Sequence, residues 1–289
     1  MFKALFKTMR PRQWTKNIFV FTALVFDKQL LLPTPFLRTL AGFALFCLIS
    51  SSVYIFNDLA DVEADRQHPV KKNRPIASGK LPVPAAWTAA ILLVVITLSL
   101  SYWLAPDFAF VVAIYLLTNL AYSKWLKHVP IVDVLILASG FVLRVGAGVT
   151  LIHVERFSPW LYVVMSLVSL YVGFGKRRAE LTLLAQGAGS HRKVLEGYTL
   201  PLLDQYILIV SSTTIVAYSL YTFSAVNLPA NHSMMLTIPF VLYAIFRYLY
   251  LIHVEQAGGE PEEILLTDRP FQIALVLWAL VVLAVFYLS

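Results

Sequence analysis

Long apolar runs separated by short polar breaks set the pattern of this chain. Nine runs, at about 14–32, 36–57, 83–104, 108–123, 130–152, 159–175, 203–226, 234–253 and 270–288, read as membrane spans, since a helix crossing a bilayer needs roughly 20 mainly apolar residues. Charge clusters or proline-containing loops bound each run. The first is the weakest, because Asp27 and Lys28 interrupt Ile18–Leu32; it is expected to tilt, stop early or lie partly at the interface. The pattern predicts an all-α integral membrane protein with about nine transmembrane helices. No loop is long enough for a soluble domain, so residues 1–289 read as a single polytopic membrane domain, with no strong internal repeat.

Composition agrees with the pattern. Of 289 residues, 59% are hydrophobic and only 13% charged, about half the usual globular share, which excludes an ordinary soluble protein. A single cysteine, Cys47, excludes an internal disulfide and with it a secreted, disulfide-stapled scaffold. The basic amino terminus leads into an apolar run with no small-residue cleavage site, so the first segment is expected to stay.

The charges are unevenly placed. If the amino terminus is inside, the inside segments hold 18 Lys and Arg: five before the first span, five between the second and third (Arg66, Lys71, Lys72, Arg74, Lys80), then Lys124, Lys127, Lys176, Arg177, Arg178, Arg192, Lys193 and Arg269. The outside holds Lys28, Arg38 and Arg156, and Arg144 and Arg247 fall within spans. Such asymmetry predicts a cytoplasmic amino terminus in the plasma membrane and, with an odd number of spans, Ser289 outside. The net charge of +7 suits anionic ligands as well as topology and calls for no nucleic-acid partner.

Acids are scarce, and four polar residues gather in Asn57-Asp58-Leu59-Ala60-Asp61-Val62-Glu63-Ala64-Asp65. Offsets of three, four and seven place Asn57, Asp58, Asp61 and Asp65 on one helical face. Carboxylates stacked this way repel and ask for a cation, and their hard oxygens suit Mg²⁺, which also binds substrate phosphates. The bland alternative is a solvated helix end. The following run, His68 to Lys80, brings Lys71, Lys72, Arg74 and Lys80 close to these acids. Lys71 and Lys72 are equally well read as topology signals, whereas Pro75 and Gly79 imply a shaped loop that aims Arg74 and Lys80.

Three further basic positions stand out. Tyr122 to Lys127 forms the next inside loop, with Lys127 the favoured residue and Tyr122 and Trp125 also readable as interface anchors. Arg144 lies within the fifth span, where an arginine is costly enough to mark a functional site; Gly140 and Gly148 flank it on the same face, leaving room for the guanidinium or for close helix packing. Pairing with another helix is its structural alternative. Asp133 shares that stripe, but eleven helical residues span about 16 Å, too far for a direct pair. Lys176-Arg177-Arg178 closes the sixth span, with Glu180 beside it. The histidines lack metal-ligand spacing, and neither a P-loop nor a nucleophile elbow occurs.

With these residues in view, the chain resembles the UbiA superfamily of intramembrane prenyltransferases, whose first signature, Asn-Asp-x-x-Asp-x-x-x-Asp after the second helix, is filled by Asn57, Asp58, Asp61 and Asp65. More of it resembles one branch, the decaprenyl-phosphate phosphoribosyltransferases. The likeness runs through Arg10-Pro11-Arg12-Gln13-Trp14-Thr15-Lys16-Asn17, His68 to Lys80, Tyr122 to Lys127, Phe141 to Gly148, Lys176 to Glu180, and Leu265-Leu266-Thr267-Asp268-Arg269-Pro270. The resemblance implies nine transmembrane helices around a central cavity open to the cytoplasm and to lipid. Members that prenylate aromatic acceptors carry a second Asp-rich motif after the sixth helix. Here Lys176, Arg177, Arg178 and Glu180 stand in that place, which favours the phosphoribosyl branch.

That resemblance implies transfer of a 5-phosphoribosyl group from phosphoribosyl pyrophosphate to a membrane polyprenyl phosphate, decaprenyl phosphate in the namesake branch, for cell-wall arabinan precursors. Asp58, Asp61 and Asp65 are then expected to hold Mg²⁺, with Asn57 orienting a carboxylate or a metal-bound water. Arg74, Lys80 and Lys127, with Tyr122, are expected to clamp donor phosphates. Lys16, Arg144, Lys176 and Arg177 are candidates for the lipid phosphate or the ribose 5-phosphate. The acceptor oxygen is already anionic, so no general base is required, consistent with the missing nucleophile–base pair. Two other readings stay open: a quinone-pathway prenyltransferase using the same acidic face for a prenyl diphosphate, and a lipid-phosphate transporter. The latter would be expected to show broken helices in repeated halves, which the sequence lacks. Assembly of several copies also stays open.

Overall fold

The structure is a computed structural model in which residues 1–154, 158–185, 192–225, 228–255 and 261–288 are described. Arg156, Val226 and Ser289, which enter the span and charge readings above, lie outside them. Twelve α-helices and five 3₁₀ segments make up the described chain, and no strand occurs among these residues. Among the described residues, seven helices are long and apolar enough to cross a membrane: α3 (Pro33–Ala60), α5 (Val83–Leu104), α6 (Pro106–Lys124), α7 (Val132–Val149), α9 (Leu200–Ser224), α10 (Ile238–His253, entered through a 3₁₀ turn from Ser233) and α12 (Arg269–Tyr287).

The other two expected spans depart from the pattern for identifiable reasons. The short helix α1 (Phe2–Thr8) is capped at Met9, and Arg10, at φ 52° ahead of Pro11, separates it from the next element. An 11-residue 3₁₀ helix, Pro11–Phe21, follows and passes into the five-residue α2 (Thr22–Phe26). The chain then turns at Asp27–Lys28, the charged pair that interrupts the apolar run, with Lys28 at φ 57°. The sixth span is one 27-residue helix, α8 (Pro159–Ala185), which continues through Lys176–Glu180 instead of stopping there.

Two compact units divide the chain: Met1–Trp125 with Leu143–Val154, and Leu126–Val142 with Glu155–Ser289. In the first, α3 packs on α5, α6 and the Pro11–Phe21 helix. Val20, Phe46, Ile49, Phe108, Val112 and Ala147 are fully buried in one core. A smaller core, Ile55, Leu59, Ile76, Leu81, Ala86 and Ala90, seats the underside of α1. Ser50, Ser51 and Ser52 in α3 return their hydroxyls to backbone carbonyls three or four residues back, which makes them compatible with an apolar surround. Gly148 is required: a Cβ there would lie 2.0 Å from the Val20 carbonyl oxygen.

The second unit pairs α8 with α9 and α10 with α12. Val134, Phe174, Tyr198, Leu203, Ile207, Tyr248 and Ile252 form its core. Asp268 begins α12 by accepting the Phe271 N–H at 2.8 Å and takes Arg247 Nη2 at 2.7 Å. The guanidinium beside it holds the Asp268 carboxyl below its ordinary value. The Leu265–Pro270 stretch thus serves the fold as a capped helix start.

Candidate active site

Helix α3 ends at Ala60 and α4 (Val62–Gln67) begins one residue later, with Asp61 at the break. The i to i−4 pattern nevertheless continues through it, Asp61 N–H to Asn57 at 3.0 Å and Asp65 N–H to Asp61 at 2.8 Å. Of the expected acidic face, Asp58 and Asp65 meet a common partner across the one-residue interruption. Asp58 and Asp65 are both buried, and Arg74 Nη1 donates to both, at 3.1 Å and 2.6 Å. Arg74 is delivered by the loop after α4, which Pro75 and Gly79 (φ 77°) shape. A second guanidinium, Arg10, donates to Asp58 Oδ1 at 2.5 Å and lies over the Tyr54 ring at 5.0 Å. The two acids are nearly inaccessible, while Arg10 and Arg74 are 33% and 29% exposed, so the cations face outward from a buried anionic pair.

The amino-terminal segment is fastened to α3 in antiparallel register. Arg10 meets Asp58, Trp14 Nε1 donates to Ser51 Oγ at 3.0 Å, and Asn17 Nδ2 donates to Ser50 Oγ and Cys47 Sγ. Asn17 Oδ1 in turn accepts from Arg144 Nε at 2.8 Å, and Arg144 Nη2 donates to the Tyr115 hydroxyl at 3.0 Å. Arg144 also lies over the Phe46 and Tyr115 rings. The α3 residues that Asn17 binds, Cys47 and Ser50, stand 8–11 residues before Asp58, about 12–16 Å along the helix, so Arg144 belongs to a network set deeper along α3 than the acidic face.

In the second unit, Arg177 is 1% exposed, and its Nε donates to Asp133 Oδ2 at 2.6 Å and its Nη1 to Glu180 Oε2 at 2.5 Å. Asp133 Oδ1 accepts from the Tyr198 hydroxyl at 2.6 Å. Burial, and then the hydrogen bond to that carboxylate, push the Tyr198 phenol above its ordinary value, so it remains a donor. Arg178 binds Asp204 at 2.5 Å.

The structure thus brings Asp58, Asp65 and Arg74 together directly, with Asn57 and Asp61 adjoining on the same turn. Asp61 is half-buried at the helix break; Lys16, Tyr122, Lys127 and Lys176 are half-buried, and Lys80 is exposed beside Gly79. Arg144 and Arg177 are placed in the two networks just described.

Comparison with known proteins bears on this arrangement. The profile of the UbiA prenyltransferase family matches residues 17–262. The chain belongs to the UbiA prenyltransferase family. Within it, the chain is 36% identical to the decaprenyl-phosphate phosphoribosyltransferase of Mycolicibacterium smegmatis, over 99% of this chain and 93% of that one. The protein of that name from Mycobacterium tuberculosis is also 36% identical, over 94% and 90%. Among solved structures, a UbiA homolog from Archaeoglobus fulgidus bound to GPP and Mg²⁺ superposes with a TM-score of 0.72 at 18% identity, covering 98% of this chain and 99% of that one. That likeness establishes the UbiA fold for the chain.

The residues of the acidic face fit a hard divalent cation. Asn57 Oδ1 is buried with no hydrogen-bond partner among the described residues, and its chain neighbour Asp58 is one of the two buried carboxylates that Arg74 joins; amide and carboxylate oxygens are donors of the kind Mg²⁺ takes while keeping several waters. No group of three or more His, Cys, Asp or Glu is close enough to hold a metal among the described residues, so the fit rests on two carboxylates, an amide oxygen and water. Arg10 is the member of this cluster that sequence reasoning misses. As one of five bases at the amino terminus it reads as topology; its place directly ahead of Pro11, which begins the next helix, and within the Arg10–Asn17 stretch of the family resemblance are the signals that could have marked it. Asn17, Tyr115, Asp133 and Tyr198 escape notice as partners because no local spacing links them to Arg144 or Arg177.

Proposed function

We propose that this UbiA-family enzyme transfers a 5-phosphoribosyl group from phosphoribosyl pyrophosphate to a membrane polyprenyl phosphate, decaprenyl phosphate in its named relatives. The observation that carries the reading is the buried Asp58–Arg74–Asp65 cluster with Arg10 on its outer side. Hard oxygens for a metal and guanidiniums for phosphates lie within one hydrogen bond of each other there, as a metal–diphosphate donor demands. Support for phosphoribosyl over prenyl transfer comes from the full-length likeness to phosphoribosyltransferases. It comes also from α8, where bases and Glu180 stand in place of a second acidic motif.

In this reading Asp58 and Asp65 would hold Mg²⁺, with Asn57 orienting a ligand or a bound water and Asp61 acting through a bound water rather than as a third direct carboxylate. When bound, Mg²⁺ supplies neutralisation of the charge that gathers on departing pyrophosphate. Arg74, Lys80, Lys127 and Tyr122 contact donor phosphates; Arg10 adds a guanidinium from the opposite side of Asp58. Lys16 and Lys176 meet the lipid phosphate or the ribose 5-phosphate. Arg144 and Arg177 serve that same task through field and placement, being committed to Asn17, Tyr115, Asp133 and Glu180. The bond from the anomeric carbon to pyrophosphate breaks, an oxygen of the lipid phosphate takes its place, and the anomeric carbon inverts. No proton has to be removed from the acceptor. The protein supplies position and preorganised charge, which lets two anions approach. The same reading places the protein in the plasma membrane with its amino terminus and acidic face cytoplasmic.

Equilibrium binding of labelled phosphoribosyl pyrophosphate to purified protein tests the assignment. Binding should require Mg²⁺, resist competition by a prenyl diphosphate, and be lost in Asp58→Ala and Asp61→Ala while both variants keep the helical content of the wild type. Binding of a prenyl diphosphate in preference to phosphoribosyl pyrophosphate would establish the quinone-pathway reading instead.

A further inference from the structure

Tyr198 carries no role in the reaction described above, yet its hydroxyl is spent on the turn that follows Lys127. Lys127 lies in the 3₁₀ turn Leu126–His128. Backbone hydrogen bonds tie that turn to the start of α7, Val129 N–H to Leu126 at 3.2 Å and Asp133 N–H to Val129 at 3.0 Å. Between them Ile131 sits at φ 69°, a left-handed conformation that is an outlier for a β-branched residue. Ile131 gains little from it, because its side chain is 41% exposed. Something else has to hold the turn in this shape.

The holder is Tyr198. Its hydroxyl accepts the Ile131 N–H at 2.6 Å and donates to Asp133 Oδ1 at 2.6 Å, and Asp133 is fixed from its other oxygen by Arg177. The ring is buried in the core with Val134 and Phe174, and the next residue, Thr199, caps α9 by accepting the Leu202 N–H. The preceding residue, Gly197, presses on the same turn: a Cβ there would lie 2.3 Å from Pro130 Cγ. A ring alone would satisfy the core. The hydroxyl and the glycine are both directed at residues 130 and 131, three and four positions after Lys127, and strained backbone held by its surroundings clusters where placement matters.

We propose that Tyr198 is a positioning residue for Lys127, clamping the turn after it so that the lysine ammonium is aimed at a donor phosphate. The proposal rests on the phosphate contact assigned to Lys127 above. Kinetics of the full-length protein, with phosphoribosyl pyrophosphate and polyprenyl phosphate varied separately, test it. Tyr198→Phe keeps the ring and removes the hydroxyl. It should raise the donor KM on the order of tenfold, the size of one lost hydrogen bond, and leave the lipid KM unchanged. In a Lys127→Ala background the same substitution should add nothing, since coupled residues fail to combine independently. Adding Ile131→Gly, which accepts φ 69° without strain, should recover the donor KM of Tyr198→Phe. Gly197→Ala, which displaces Pro130 without touching the buried network, should reproduce the donor effect and its dependence on Lys127, and it stands as the test if Tyr198→Phe does not fold. A donor KM unchanged in the folded variant, or effects that multiply independently of Lys127, overturns the proposal. Wild-type protein that transfers nothing from phosphoribosyl pyrophosphate overturns the functional reading itself and this proposal with it.

Discussion

Arg144 shows how one side chain organises the first unit. Its guanidinium spends separate nitrogens on Asn17 and Tyr115 while stacking against two rings. Lysine cannot reproduce that fork. Arg144→Lys should therefore lower stability by about 1–3 kcal/mol, read as a lower midpoint in thermal unfolding of the detergent-solubilised protein; an unchanged midpoint would show that the fork is dispensable. The sequence marks Arg144 as costly within a span but says nothing of its partners, which lie 127 and 29 residues away. The acidic positions are more legible, because so apolar a chain does not gather four polar residues at offsets of three, four and seven without a task for them. Arg10 is hidden for the opposite reason. Bases are common at a cytoplasmic amino terminus, and only the fold brings this one within 2.5 Å of Asp58.

Helix starts and stops decide which elements the apolar pattern can predict. The third span is read to the residue, Val83–Leu104, because Pro82 and the Ala105-Pro106 break bound it. The first does not form one long α-helix, because Pro11 and Asp27–Lys28 bracket a short segment that folds as a 3₁₀ helix and the five-residue α2, and α8 overruns because Arg177, Arg178 and Glu180 can stay helical once their charges are paired. Where helices meet closely, one methyl group matters: Gly148→Ala sets a Cβ against the Val20 carbonyl and should destabilise the first unit by about 1–3 kcal/mol. An unfolding midpoint equal to the wild type would mean the two backbones separate freely. At α12, Asp268→Ala should destabilise by about 1 kcal/mol through the lost cap, and Asp268→Asn by less, since an amide oxygen still accepts the Phe271 N–H. The Asp268 value is depressed, so its contribution is fully present above the unfolded carboxylate pKa of about 3.9 and is lost as pH falls through the lower folded value. This pair should therefore contribute no change in unfolding midpoint between pH 5 and pH 8, a range about one unit or more above that pKa.

At the scale of the whole molecule, the sparse charges serve orientation and chemistry together. Fold class and family are legible from apolar runs and one acidic motif, and the UbiA profile and structural likeness agree with both. The orientation inferred from Lys and Arg placement can be checked at exposed Ser78, in the loop that carries Arg74. In a Cys47→Ser background, Ser78→Cys should react with a membrane-impermeant maleimide in inside-out vesicles and resist it in right-side-out ones; the reverse would invert the topology. The function itself is tested most directly by the product. Purified protein, polyprenyl phosphate, labelled phosphoribosyl pyrophosphate and Mg²⁺ should yield a labelled lipid whose mass equals that of the polyprenyl phosphate plus one 5-phosphoribosyl group, with pyrophosphate released in equal amount and both lost in Asp58→Ala. No labelled lipid from active, folded protein would contradict the account.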